Sequence, residues 1–449
     1  MSAYKCLASF LALVLMTSVG QAQTYTLQES SQKDSIYAIH LQTTLKGEMI
    51  IQQQDKQIPL KQSVVAHHQY TERVLQTGDM RVLGKTARQY KVAEVAIEVD
   101  KSTTKRTIRP QRRFVVVQRT KDGLVSFSPK GQFTREELEV TQHFDTLAIP
   151  GLLPNTKVSL GDTWKIDNPV AQAVCYFEGL TGHDLTGKLV NVAGNTATVS
   201  ITGTAEGIDA GAPVKLKINA GFLFDLEKKR IVSLEWSQQD ERGQGPVSPE
   251  IKAELVVKLT RTLKDPGEVP ELSDIALIPV PTTPVPPAEL TNLAFNDPKN
   301  RYELALDRDW IMVAQTKNHL VLRCLERGEF VAQATITVWP KTEPGKHLSG
   351  EEFEKVMAES PGWEPTEVTE SKALPTEKGY FVYRVAASGE LNGVETLQYF
   401  HLIAGPNGDQ AVVAFALAPG QVQRLGTRDY DLVRSLVFPN SPKDSVVGE

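Results

Sequence analysis

Runs in which apolar and polar residues alternate with a period of two recur through the first 264 positions. SIYAIHLQ (35–42), EMIIQQ (48–53), KVAEVAIEV (91–99), RFVVVQRT (113–120), KLVNVA (188–193), TATVSITGTA (196–205), PVKLKINAGFLF (213–224) and ELVVKLTRT (254–262) carry that alternation or a β-branched content. Such patterns place one side of each strand inward and leave the other to solvent. Turn residues separate the runs: Asp122-Gly123, Gly194-Asn195, and Gly211 ahead of Pro213. Gly194-Asn195 between two alternating runs predicts a hairpin. The expected result is a large antiparallel sheet, curved or part-closed around one core. One helix is expected over 134–149, with Thr134 as its cap and Glu137 three residues on.

From 291 onward two periods mix. Strands are expected at 301–306, 310–314, 319–325, 330–338, 380–388, 394–403 and 410–417. Ser349-Gly350-Glu351-Glu352 is a capping box, followed by Phe353, Val356 and Met357 at helical spacing. A second helix is expected over 419–436, with Val422, Leu425, Val433 and Leu436 on one face. Strands and helices in this order predict an α+β unit with helices packed on an antiparallel sheet.

Between the two patterned regions lie seven prolines, at 266, 270, 279, 281, 284, 286 and 287. Proline lacks the amide donor and fixes φ. The stretch 265–290 is therefore expected to run as an extended, semi-rigid spacer, with the apolar IALIPV (275–280) able to dock on a neighbour. The expected organisation is 1–22 leader, 23–264 β-rich domain, 265–290 linker, 291–440 α+β domain and 441–449 frayed tail. The leader follows from Lys5, the apolar run 6–19, and Gly20 and Ala22, which mark cleavage after Ala22. The apolar run is shorter than the roughly 20 residues of a membrane span. A secreted or periplasmic protein without a later membrane-spanning segment is expected.

Charge narrows the function classes. Lys and Arg total 49 against 54 Asp and Glu, a net of −5. This mild acidity argues against general nucleic-acid binding, which needs a basic surface. One local feature runs against the average: residues 101–121 hold eight Lys or Arg and no Asp or Glu. Lys105, Arg106, Arg109, Arg112, Arg113 and Arg119 could form a strip for an anionic envelope polymer or headgroup. They could equally be the solvated, aggregation-resistant edge of a hairpin.

No catalytic constellation is marked. The chain has no GxSxG elbow, P-loop, GxGxxG turn or HExxH. His67-His68 precede Glu72, but the segment 63–76 reads as strand, where neighbouring side chains point to opposite faces. A shared face for His68 and Glu72 is expected only of a helix, and no third metal ligand stands at standard spacing. His183-Asp184 reads as a solvated turn. Glu136-Glu137 and Glu351-Glu352 sit at helix starts, where they complement the dipole. Cys175 and Cys324 are read as two buried thiols, with an inter-domain disulfide as the alternative. No cofactor is implied.

The second region resembles the PsbP-like fold, an α/β/α sandwich. FNDPKNRYELALDRDWIMV (295–313), with Tyr302 and Trp310, AQATITVWP (332–340) leading into the capped helix, and TRDYDLVRSLVF (427–438) carry the likeness. Asp307 and Asp309 stand where proline and glycine are usual in that fold. The first region is similar to a secreted bacterial β-rich family of unknown function, through LPNTKVSLGDTWKI (153–166) and GFLFDLEKKRIVSLEW (221–236). Both stretches also have structural explanations. Gly161-Asp162 can turn Trp164 to the core, and Asp225 can begin a turn with Lys228-Lys229 at its tip. These resemblances imply an exported, non-enzymatic binding or scaffolding protein with an envelope protein or polymer as partner. The alternative is a carrier that holds a lipid-like ligand in the curved sheet.

Overall fold

The computed structural model describes residues 23–439, apart from 30–31, 54–55, 79–81, 122 and 377–378. The expected leader and tail lie outside the described residues. The chain is mostly antiparallel sheet in two parts, an α+β arrangement.

The first part holds β1 (Thr24–Tyr25), β2 (Ile36–Gln53), β3 (Lys56–Thr77), β4 (Leu83–Val99), β5 (Ser102–Thr107), β6 (Phe114–Thr120) and β7 (Gly123–Phe127). Then come α1 (Arg135–Thr141), β8 (Val158–Ser159), β9 (Thr163–Lys165), α2 (Asn168–Val174), β10 (Gly179–His183), β11 (Thr186–Ala193), β12 (Thr196–Asp209), β13 (Ala212–Asp225), β14 (Arg230–Arg242) and β15 (Glu250–Lys264). Thirteen strands make one sheet in the order β7-β6-β4-β3-β2-β15-β14-β13-β12-β11-β9, with β5 on β4 and β10 on β12. Only the β2–β15 neighbours are distant in sequence near the centre, so the sheet is largely a meander of hairpins. Its inner face packs on α1, α2 and the segment 142–153, through Val117, Leu138, Leu147, Ile149, Val170, Ile201 and Trp236.

Local chemistry sets the turns. β11 and β12 meet across Gly194-Asn195, as the alternation predicts, with Gly194 at φ 56°. Asp225 Oδ1 accepts the amides of Glu227 (3.1 Å) and Lys228 (2.9 Å), which closes the β13–β14 turn. Gly161, at φ 91°, brings the chain round so that Trp164 Nε1 donates to Leu152 O at 3.0 Å. Thr134 and Glu137 form the expected reciprocal cap of α1. That helix ends at Thr141 rather than near 149. Beyond it Asp145 Oδ1 takes the Leu147 amide (3.0 Å), and such side-chain bonds compete with helical ones.

The proline stretch departs from the spacer expected of it. Short helical turns at Pro266–Glu268 and Pro270–Leu272 drop Val269 and Leu272 onto Ile36, Ala87 and Phe114. Arg73 holds Asp34 (2.7 Å) and Asp274 (2.6 Å) and donates to Leu272 O at 2.8 Å. Lys85 donates to Pro281 O, and Gln118 Nε2 to Pro284 O at 2.6 Å. The missing amide donors therefore matter little: the carbonyls of this stretch serve as acceptors for side chains of the sheet. Within 275–280 only Leu277 and Val280 pack inward; Ile275 stays 79% exposed.

The second part opens with α3 (Ala288–Thr291) and the pair β16 (Leu293–Asn296) and β17 (Glu303–Leu306). A seven-stranded antiparallel sheet follows, built from β18 (Trp310–Gln315), β19 (His319–Glu326), β20 (Glu329–Trp339), β21 (Trp363–Leu374), β22 (Phe381–Leu391), β23 (Val394–Ala404) and β24 (Gln410–Leu417). Its order is β18-β19-β20-β24-β23-β22-β21. The capped helix α4 (Gly350–Ala358) lies against Trp363, Val385, Phe400 and Leu402 through Phe353 and Met357. The expected helix at 419–436 is broken into a short turn, α5 (Val422–Leu425) and α6 (Arg428–Ser435), because Gly426 takes φ 59°. The edge strand β21 has no counterpart among the expected strands. Its residues are mostly exposed, four of the twelve are charged, and Pro365 is among them, so no apolar alternation betrays it.

The two parts meet directly. Ala294 N donates to Phe133 O at 2.8 Å, Arg135 to Trp310 O at 3.0 Å and Arg308 to Ser126 O at 2.6 Å. Hairpin tips touch at Gly211 and Gly328, where a Cβ on Gly211 would stand 2.0 Å from Gly328 O. Cys175 and Cys324 are both buried free thiols.

Truncating Leu272 to alanine should cost about 2–5 kcal/mol, the range for a fully buried leucine. Urea unfolding reads the loss. Limited proteolysis within 273–287 should accelerate in the same variant; an unchanged cleavage rate would show that Leu272 does not pin the strap.

Candidate functional site

On a strand, side chains two and four positions apart share a face. His68, Tyr70 and Glu72 of β3 accordingly all point into the core, with Arg88 and Tyr90 of β4 opposite. The expectation that strand geometry separates His68 from Glu72 is thus corrected: alternation separates His67 from His68, and sends His67 outward. Arg88 Nε donates to Glu72 Oε2 at 2.7 Å, and Arg88 Nη2 to Thr146 Oγ1 at 2.8 Å. Tyr90 Oη lies 2.9 Å from His143 Nε2, His143 Nδ1 lies 3.1 Å from Phe144 O, and His68 Nε2 lies 2.9 Å from Val140 O. The guanidinium also sits 5.0 Å above the Tyr70 ring.

Burial dominates the electrostatics of this network. It pushes His68 down to about 4 and His143 well below the ordinary histidine value, with Arg88 adding to both. It pushes the Tyr70 and Tyr90 phenols up. Both imidazoles are therefore neutral and both phenols protonated at neutral pH, and the network pins 140–146 to the sheet instead of moving protons. Among the described residues no group of three or more His, Cys, Asp or Glu side chains could hold a metal ion.

Tyr176 exposes 40% of its surface at φ 60°, a left-handed conformation that a bulky residue adopts at a cost. Loss of solvation nevertheless raises its phenol, helped by Asp145. Arg242, at the end of β14, pairs with Asp240 of the same strand (3.8 Å) and with Asp209 at the end of β12 (2.5 Å).

Another stretch of the inner face is apolar and only half-buried. β2 and β3 run 18 and 22 residues, and their inner positions beyond Leu41 and Ala66 are only half-buried. Register aligns them in rows: Ile97, Val64, Leu45 and Leu255 in one, Val99, Gln62, Gly47 and Ala253 in the next, and Leu60, Met49 and Ile251 in the one after. Ile58 and Ile51 make a fourth. The outward positions between them are Lys46, Glu48, Lys61, Lys252 and Glu254. Leu255 still packs against the core, and the apolar members of the further rows lie beyond it.

The basic strip is largely spent on the protein itself. Arg109 grips Glu137 with two 2.6 Å bonds, Arg106 pairs with Glu139 and Arg119 holds Asp145 at 2.6 Å. Arg112 donates to the carbonyls of Lys130 and Gln132, and Arg113 to that of Lys91. Lys105 remains exposed on β5. The acids that meet these arginines lie 25 or more residues away in sequence, which hid the pairing. His183 and Asp184 staple a turn: His183 Nε2 lies 3.0 Å from Asn168 Oδ1, and Asp184 Oδ1 accepts from Thr204.

No family model and no curated protein matches the chain. Among solved structures, cyanobacterial PsbP (CyanoP) from Synechocystis sp. PCC 6803 is similar over 32% of this chain and 91% of its own, at 16% identity and a TM-score of 0.26. Lipovitellin is similar over 52% of this chain at 10% identity and a TM-score of 0.29, and this chain spans 25% of it. Pseudomonas putida OprB covers 86% of this chain and 93% of its own, at 10% identity and a TM-score of 0.12. Among the described residues no helix is long and apolar enough to cross a membrane.

A histidine held at about 4 takes its proton more readily in the unfolded chain. Stability therefore falls as pH drops from about 6.5 toward 4, by up to about 3 kcal/mol from His68 alone. Replacing His68 with phenylalanine should flatten that part of the pH–stability curve; urea midpoints measured across the window for both proteins check it.

Proposed function

We propose that this chain is an exported, non-catalytic binding protein whose β-rich half holds an apolar, lipid-sized ligand. The observation that carries the reading is the open apolar face on the inner side of β2, β3, β4 and β15. Burying such surface is worth roughly 25 cal/mol per Å². A half-buried apolar face of several rows therefore marks a place where something binds. The leader read in 1–22 supports export. The buried network supports a non-catalytic role, because its groups are locked in one protonation state near neutrality.

Within this reading the second half is a PsbP-like unit that serves as a rigid partner to the first. Tyr302 and Trp310, which carry the sequence resemblance, are both buried, and Trp310 packs on Phe415 with ring centroids 5.8 Å apart. A scaffolding role, in which the apolar face meets a partner protein, is the second reading. The direct seam between the two parts favours it, since a fixed geometry suits assembly.

A long-chain fluorescent fatty acid is expected to bind the delipidated protein. Leu45→Glu and Val64→Glu, at half-buried positions, should each weaken uptake at least about tenfold, or 1.4 kcal/mol, without altering the thermal midpoint. Native mass spectrometry of protein from its own host should show an added lipid mass. Unchanged uptake in both variants would refute the carrier and leave the scaffold.

A further inference from the structure

The opposite, outward face of the sheet carries a groove of about 810 Å³ that crosses β3, β2, β15, β14, β13 and β12. Two cross-strand rows line it. In one, His67 stands opposite Gln42, Gln42 opposite Lys258, Lys258 opposite Glu235, and Glu235 opposite Gly221. In the other, Gln69, His40, Thr260, Ser233 and Leu223 follow in register. Asn219 and Ser237 extend the floor as a further opposed pair.

We propose that this groove binds an uncharged polyhydroxylated ligand, a segment of neutral oligosaccharide. Amides and hydroxyls both donate and accept hydrogen bonds, as sugar hydroxyls do. Gln42, Gln69, Asn219, Ser233, Ser237 and Thr260 supply them, and none of these side chains spends its capacity on another described residue. The ions in the groove neutralise each other, since Lys258 Nζ lies 3.4 Å from Glu235 Oε1. An anionic polymer therefore finds no excess of cations, and Leu223 is the main apolar side chain facing out there. Gly221 keeps the middle of the floor low: a Cβ there would have Val199 O, at 3.1 Å, as its only neighbour within 4 Å. Strands stand about 4.8 Å apart. A chain of sugar rings laid across them meets a fresh set of polar groups at nearly every ring.

The test is isothermal titration of the purified protein with maltohexaose, cellohexaose and chitohexaose. At least one is expected to bind, equally at low and high salt, because no net charge is involved. Gly221→Leu, which raises the floor, and the double variant Gln42→Ala, Thr260→Ala should each weaken that binding at least about tenfold. The double variant keeps the outcome readable should Gly221→Leu fold poorly. Fatty-acid uptake should be untouched in both, which separates this groove from the apolar face. Failure of all three sugars to bind would overturn the proposal. So would binding unchanged in the double variant, or salt-sensitive binding of polygalacturonate in their place.

Discussion

A β-strand shows the same alternation along its whole length, whether or not anything packs against it. At about 3.4 Å per residue an 18-residue strand reaches roughly 60 Å, far beyond what one layer of helices and loops covers. That disproportion governs the first half of the chain. Where α1, α2 and 142–153 lie against the sheet, the inward side chains form a core centred on residues such as Trp236 and Val117. Where they stop, half-buried apolar rows continue on the inward side, interrupted at Gly47 and Gln62. The open apolar face and the solvated polar face behind it are two sides of one alternation.

The buried polar network follows from the same geometry. Inward positions on β3 and β4 that are not aliphatic must find partners inside, because an unpaired buried charge or dipole is costly. Glu72 and Arg88 satisfy each other across neighbouring strands, and Thr146, His143 and Tyr90 complete the set. The segment that supplies His143 and Thr146 is the one that sequence pattern assigns to a longer helix. It leaves helical geometry where its side chains begin to bond inward.

Much of the architecture was legible because it rests on short-range signals. Alternation gave most strands, the Gly194 turn gave a hairpin, and Thr134 and Ser349 gave the caps of α1 and α4. The misses share a long-range cause. Partners for the arginines of 106–119 are set by the fold, so an electropositive strip and a set of internal ion pairs look alike in sequence. Edge strand β21 is recognised only once β22 is beside it. The proline stretch looked like a spacer because its composition says what it cannot do; its docking depends on Lys85, Gln118 and Arg73, far away in the chain. The inward cluster around Glu72 could have been found by applying period two over four residues.

The contact between the two halves has a consequence for the surroundings in which the protein works. Arg135 and Arg308 grip backbone carbonyls there instead of carboxylates. A carbonyl has no proton to gain, and Arg308, though pushed down to about 10 by burial, is still cationic in any mildly acidic or neutral medium. Acidification protonates the carboxylates of ordinary salt bridges and releases a hinge made from them. These two grips have no acid to silence, so they should hold through swings in acidity.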